Sequence, residues 1–233
     1  MLKKQKPIYQ QIIKFYEGLE PNFVLPKSVS VMLPFNEMAV KHFITKFYTK
    51  FFNDYHERVF IFGINPGRFG GGLTGIPFTD PLRLNDDCSI PNDLSKRGEL
   101  SAEFVYKVIK AFGGVEDFYS KFFITSICPV GFVKDGINLN YYDDKKLEKA
   151  ATPYIVDTIR QQLELGARRD VCICLGSGKN LKFMQKLNQE HDFFEKIIPL
   201  DHPRFIMQYK RKELEHYISK YVLTLKALLK KSI

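Results

Sequence analysis

The chain has 233 residues, 45% of them hydrophobic, enough to bury roughly three quarters of its unfolded surface in one core. No apolar run approaches the ~18 residues of a membrane-spanning helix, and the polar residues 1–6 precede no signal-type apolar stretch, so a soluble, intracellular protein is expected. The formal charge is +9, and the four cysteines (Cys88, Cys128, Cys172, Cys174) have neither C-x-x-C nor zinc-like spacing, which argues against a metal centre or a disulfide framework.

Ile8, Ile12, Ile13 and Tyr16 share one helical face, and Val40, Phe43, Ile44, Phe47 and Phe51 share another that starts near a capping Asn36. Residues 58–64 read as a strand whose apolar run from Val59 on is the mark of burial on both faces. It stops at Asn65-Pro66-Gly67. Pro66 removes a backbone donor, and Gly67, Gly70, Gly71 and Gly72 let the main chain approach a ligand. Asn65 is therefore expected at a sheet rim, its side chain free to orient something small. A long loop containing Pro77, Pro81 and Pro91 comes next, then a helix over 99–112 and a second strand over 121–126. Residues 131–144 read as a loop with a turn at Asp135-Gly136. A helix over 153–165, a strand over 170–176, a helix over 179–189, a strand over 197–201 and a closing helix over 213–229 complete the pattern. In the third strand Cys172 and Cys174 alternate with Val171, Ile173 and Leu175, so both should face one side as small core residues.

Strands separated by helices predict a three-layer α/β/α fold with a central four-stranded parallel sheet, as a single domain over 1–233. In such a sheet the C-terminal ends of all strands lie on one edge, where open α/β folds bind ligands. That edge would gather Asn65-Pro66-Gly67, Ser126 with Cys128-Pro129, Gly176-Ser177-Gly178-Lys179 and His202-Pro203-Arg204. From Arg204 onward eight Lys/Arg stand against two Glu. This bias suits either a polyanion partner or a solubilising surface.

The run Gly63-Ile64-Asn65-Pro66-Gly67-Arg68-Phe69-Gly70, continuing through Leu73-Thr74-Gly75-Ile76-Pro77-Phe78, resembles the first motif of the single-strand-selective monofunctional uracil-DNA glycosylases. His202-Pro203-Arg204 resembles that family's histidine motif, and the order of elements agrees from about residue 29 to 221. The resemblance implies an enzyme that hydrolyses the N-glycosidic bond between a damaged base and deoxyribose in DNA, for base excision repair. It implies catalytic roles for Asn65, which would hold the attacking water, and for His202, which would donate a hydrogen bond to the departing base. Ile64 and Gly67 would contact the base or a flanking phosphate, and Phe78 would stack on the flipped base. Ser126 stands where the family carries an asparagine that reads the pairing edge of uracil. A hydroxyl cannot make a bidentate amide contact, so discrimination should loosen towards xanthine and hypoxanthine. Arg204 and Lys210 would meet phosphates, as would the helix start at Ser177 and Lys179, and Phe205 with its apolar neighbours would act as a wedge. The resemblance further implies a bacterial, cytoplasmic monomer without metal or organic cofactor.

Two other readings fit the same residues: a non-catalytic relative that binds single-stranded or damaged DNA, and a nucleoside- or nucleotide-processing enzyme of the same architecture. A P-loop is not among them, because Ile173 and Asn180 stand where that motif needs Gly and Ser/Thr. Nor is a dinucleotide fold, because Gly70–Gly75 runs into Ile76-Pro77 rather than opening a helix.

Overall fold

The computed structural model describes residues 6–96 and 98–230, so the polar residues 1–5 and Lys231 lie outside the description. Its elements are α1 (Ile8–Glu17), β1 (Val29–Met32), α2 (Met38–Phe51), β2 (Arg58–Gly63), α3 (Gly71–Thr74), α4 (Pro81–Asp86), α5 (Leu100–Phe112), α6 (Val115–Tyr119), β3 (Phe122–Ser126), β4 (Gly131–Lys134), β5 (Ile137–Leu139), α7 (Lys145–Leu163), β6 (Ala167–Leu175), α8 (Lys179–His191), β7 (Lys196–Leu200), α9 (Pro203–Tyr209) and α10 (Leu214–Leu229).

Strands β3-β2-β6-β7 form a parallel sheet in that order. Every residue of β2 and β3 is buried, which is what continuous apolar runs without polar alternation dictate. The register sorts the side chains into two faces. Phe60 lies beside Phe123 and Cys172, and Phe62 beside Cys174, on one face; Ile61, Ile124 and Ile173 align on the other. Both cysteines are fully buried opposite phenylalanines, small side chains accommodating large ones at constant layer spacing. Tyr48 and Phe52 cover the aromatic face through ring contacts to Phe123. Beneath the sheet's N-terminal edge, Arg58 is 1% exposed, its guanidinium forked onto Asp54 at 2.6 and 2.9 Å and donating to the Tyr119 carbonyl at 2.7 Å. Among the described residues no helix is long and apolar enough to cross a membrane.

The structure departs from the expected elements in ways that matter for the site. The expected loop over 131–144 contains the hairpin β4–β5, which pairs antiparallel with β1 to make a second, three-stranded sheet. These strands are three and four residues long, too short for a period-2 signal, and the turn residues Asp135 and Gly136 dominate the local pattern. Helix α7 begins at Lys145 rather than at Pro153. The Asp144 carboxylate accepts the Lys146 and Leu147 N–H groups and fixes the start, and Pro153 lies inside the helix. Residues 203–209 are helical instead of a loop, begun by Pro203 at its first position, where a missing N–H costs nothing. The long loop after β2 likewise holds α3 and α4, the latter capped by Asp80.

Candidate active site

The strand order places the sheet's switch point between β2 and β6, since the chain crosses to β3 on one side of β2 and to β6 on the other. A crevice is expected at the carboxyl ends there. A cavity of about 500 Å³ opens at that edge, a volume usual for small-molecule sites. Ile64, Asn65, Gly67, Phe78, Ser126, His202, Arg204 and Phe205 all line it. The first and the last of these are 141 positions apart in sequence, and parallel strands bring them together.

Asn65 follows β2, where Pro66 turns the chain away. Its amide is not free, contrary to expectation. Nδ2 donates to the Leu139 carbonyl at 3.2 Å, and Oδ1 accepts the Tyr141 N–H at 3.1 Å. The end of β5 thus holds the carboxamide in one orientation, and the second lone pair of Oδ1 is left as its free acceptor. Ser126 ends β3 directly beside Gly63 in the register and is 5% exposed. Its carbonyl accepts from Gln162 at 3.3 Å.

Phe78 has φ +52°, a left-handed conformation rare for a bulky residue. Strain of this kind persists where surrounding structure enforces it, commonly at functional sites. Its ring lies over Gly63, where a Cβ would come within 2.8 Å of it, so only glycine lets the aromatic seat there. The Phe78 and His202 ring centres are 5.8 Å apart.

His202 follows β7 and caps α9, its Nδ1 accepting the Arg204 N–H at 3.2 Å. An accepting Nδ1 leaves the proton on Nε2, so the imidazole offers one donor. Burial, and then the Arg204 charge, push its pKa down to about 4. At neutral pH the group is an uncharged donor.

Glu99 is a lining residue that sequence reasoning did not find. Its carboxyl lies against Gly70, where a Cβ would meet Oε2 at 2.6 Å. Burial raises its pKa, with Asp80 adding to the effect and Ser101 and Arg204 opposing it. Asn138, Asn140 and Tyr142 also line the cavity, delivered by the hairpin and the loop after it; all three lay in the segment expected to be a loop. Gln208 and Tyr209 reach it from α9. Among the described residues no group of three or more His, Cys, Asp or Glu could hold a metal ion.

The remaining expected DNA contacts, Ser177, Lys179 and Lys210, are not among the residues that line the cavity. Ser177 bonds Asp201 at 3.3 Å, and the Lys179 ammonium sits 5.9 Å from the Tyr142 ring centre. Lys210 is paired with Glu213 at 2.9 Å, whose carboxylate offsets its positive field. The wedge is smaller than expected. Ile206 and Met207 are buried and anchor α9, whereas Phe205 and Tyr209 are exposed with ring centres 5.5 Å apart. The i, i+4 spacing of a helix places those two on one face.

The model of the uracil DNA glycosylase superfamily matches residues 49–226. The chain belongs to the uracil-DNA glycosylase superfamily. It is similar to the crystal structure of wild-type Pedobacter heparinus SMUG2, with 46% identity and a TM-score of 0.94 over 96% of this chain and 99% of that one. A comparison with curated proteins gives no match. The superfamily carries the activity with it: the protein is a DNA glycosylase, a hydrolase of N-glycosyl bonds that acts on DNA in repair.

Proposed function

We propose that the protein is a monofunctional glycosylase that removes uracil and other deaminated bases, xanthine and hypoxanthine among them, from DNA. The observation that carries this reading is the meeting of Asn65, Phe78, Ser126 and His202 on one cavity at the switch point of the sheet.

The target base must leave the stack, at about a few kcal/mol, to enter the cavity. Phe78 stacks on it, a contact worth about 1–3 kcal/mol. As the bond from C1′ to the base nitrogen lengthens, the sugar becomes oxocarbenium-like and the base gathers negative charge. Nε2–H of His202 donates to a carbonyl oxygen of the base, where the charge develops. A preorganised neutral donor of this kind favours the transition state over the ground state. The free lone pair of Asn65 Oδ1 accepts a hydrogen of the attacking water and aims its oxygen at C1′. An amide is no strong base, and none is needed against so electrophilic a carbon; its contribution is orientation. The water oxygen ends on C1′, its released proton passes to solvent, and the departing base anion takes a proton up from solvent. No lysine is among the described residues lining the cavity, which supports base release without the Schiff base needed for strand cleavage.

The Ser126 hydroxyl at the cavity floor supports the broader base range, since it both donates and accepts. Arg204, Lys179 and the start of α8 at Ser177 serve the phosphates, with a minor part for the paired Lys210. Phe205 and Tyr209 fill the gap left by the extruded nucleotide. The protein acts as a single-domain monomer without metal or organic cofactor.

Oligonucleotides carrying one uracil, xanthine or hypoxanthine, incubated with the protein and then treated with alkali, test the reading. Abasic sites should form from each. Asn65→Ala should slow release a hundredfold or so while DNA affinity holds. No abasic sites from any of the three, or an Asn65→Ala variant as fast as the parent, would refute it.

A further inference from the structure

The segment Gly176-Ser177-Gly178-Lys179-Asn180 looks like a phosphate loop but lacks its defining residues, and the glycosidic chemistry gives Asn180 no part. The structure does. Asn180 lies in the first turn of α8 and is 2% exposed. Its Oδ1 accepts the Tyr141 hydroxyl at 2.7 Å, and its Nδ2 donates to the Leu175 carbonyl, at the end of β6, at 2.9 Å. Tyr141 is fully buried, its ring 4.7 Å from that of Phe183 on α8. The main-chain N–H of this same Tyr141 is the donor to Asn65 Oδ1.

We propose that Asn180 and Tyr141 are positioning residues for Asn65, tying the carboxamide to the parallel sheet through the Leu175 carbonyl. The proposal rests on the reading of Asn65 as the group that orients water. Asn65 is held by residues 139 and 141, where β5 runs out into the loop before α7. That stretch leaves the small sheet, and the Tyr141 side chain ties it to the large one through Asn180. Rotation of the Tyr141 peptide would turn Asn65 Oδ1 away from the cavity. An asparagine suits position 180 because one planar amide accepts from the tyrosine while donating to the strand carbonyl. A serine or threonine hydroxyl has neither that span nor two opposed groups. A buried polar network that is fully satisfied specifies one arrangement, which a catalytic amide requires.

The test is single-turnover base release from a uracil-containing single-stranded oligonucleotide, with affinity for undamaged DNA and thermal melting measured on every variant. Tyr141→Phe removes one oxygen and keeps the ring; Asn180→Ala removes the acceptor. Each should slow release about tenfold, as expected for a sub-ångström misplacement, with DNA affinity unchanged. In an Asn65→Ala background neither should slow it further, because residues acting through one group are not additive. The side-chain amide protons of Asn65 should also shift in the NMR spectrum of Tyr141→Phe. Tyr154→Phe is the control: that buried hydroxyl has no partner among the described residues, so its loss should change neither rate nor Asn65 resonances. If Asn180→Ala does not fold, Tyr141→Phe carries the test. A Tyr141→Phe variant with parental rate and unmoved Asn65 resonances would overturn the proposal, as would a tenfold loss that persists in the Asn65→Ala background. An Asn65→Ala variant with parental rate would instead strike the reading of Asn65 itself.

Discussion

Replacing His202 separates the cap that its ring provides from the donor role proposed for it. Nδ1 caps α9 by accepting the Arg204 N–H at 3.2 Å, while Nε2–H is the donor proposed to meet the departing base. Asparagine is among the best N-cap residues and can take over the first task, but its shorter amide does not reach the position of Nε2. His202→Asn should therefore melt close to the parent while losing base release by about 10²–10³-fold, or ~3–4 kcal/mol, the usual worth of one donor to a developing anion. His202→Ala should lose as much activity and also the cap, about 1 kcal/mol, which lowers Tm by about 2–4 °C in a protein of this size. Acid sensitivity gives an independent check. With a pKa lowered from 6.5 to about 4, the folded chain refuses a proton that the unfolded chain takes up. The contribution of His202 is intact above about pH 6.5 and is lost as pH falls towards 4, to a total of about 3 kcal/mol. His202→Asn should flatten that part of the stability profile. The assays are single-turnover kinetics on a uracil oligonucleotide at pH 7.5 and thermal melts from pH 4 to 8. A His202→Asn rate within threefold of the parent would show that the donor is another group, and the reasoning would fail.

Ser126→Asn should restore an amide at the cavity floor and raise the ratio of uracil to xanthine excision at least about tenfold; parallel rates on the two oligonucleotides decide it, and an unchanged ratio removes Ser126 from base reading. Glu99→Gln should raise Tm at pH 8, because burial and Asp80 disfavour the carboxylate. The gain should shrink as pH falls and Glu99 takes up its proton, since a raised acid pKa costs stability only above the unfolded value; a Tm difference independent of pH would contradict this. Asp54→Ala strands the buried Arg58 guanidinium and should cost about 3 kcal/mol, read by urea unfolding, with no change in the rate of base release by the protein that remains folded.

Much of the architecture is written locally. A run such as Val59-Phe60-Ile61-Phe62 has no polar side for water, so it must be a strand covered on both faces. The alternation around Cys172 and Cys174 set which side each residue faces. From four such strands follows a parallel sheet, and from that a single edge for Asn65, Ser126 and His202. The turn chemistry of Asp135-Gly136 was equally visible, although it hid the short hairpin it closes. Pro153 misled in a different way, since a proline favours a helix start but is tolerated inside one whose cap, Asp144, lies nine residues earlier.

What the chain alone could not disclose is how the edge is held in register. Asn65 is oriented by backbone groups 74 and 76 positions away, and periodicity carries no information at that distance. Glu99 looks like an ordinary residue at a helix start; only the fold of the Gly70 loop brings its carboxyl to the cavity. Side-chain type and spacing follow from local sterics and solvation, so the sequence settled the kind of fold and which side chains gather at one sheet edge. Their orientations, protonation and supports arise from contacts between distant segments, and those exist only once the chain has packed.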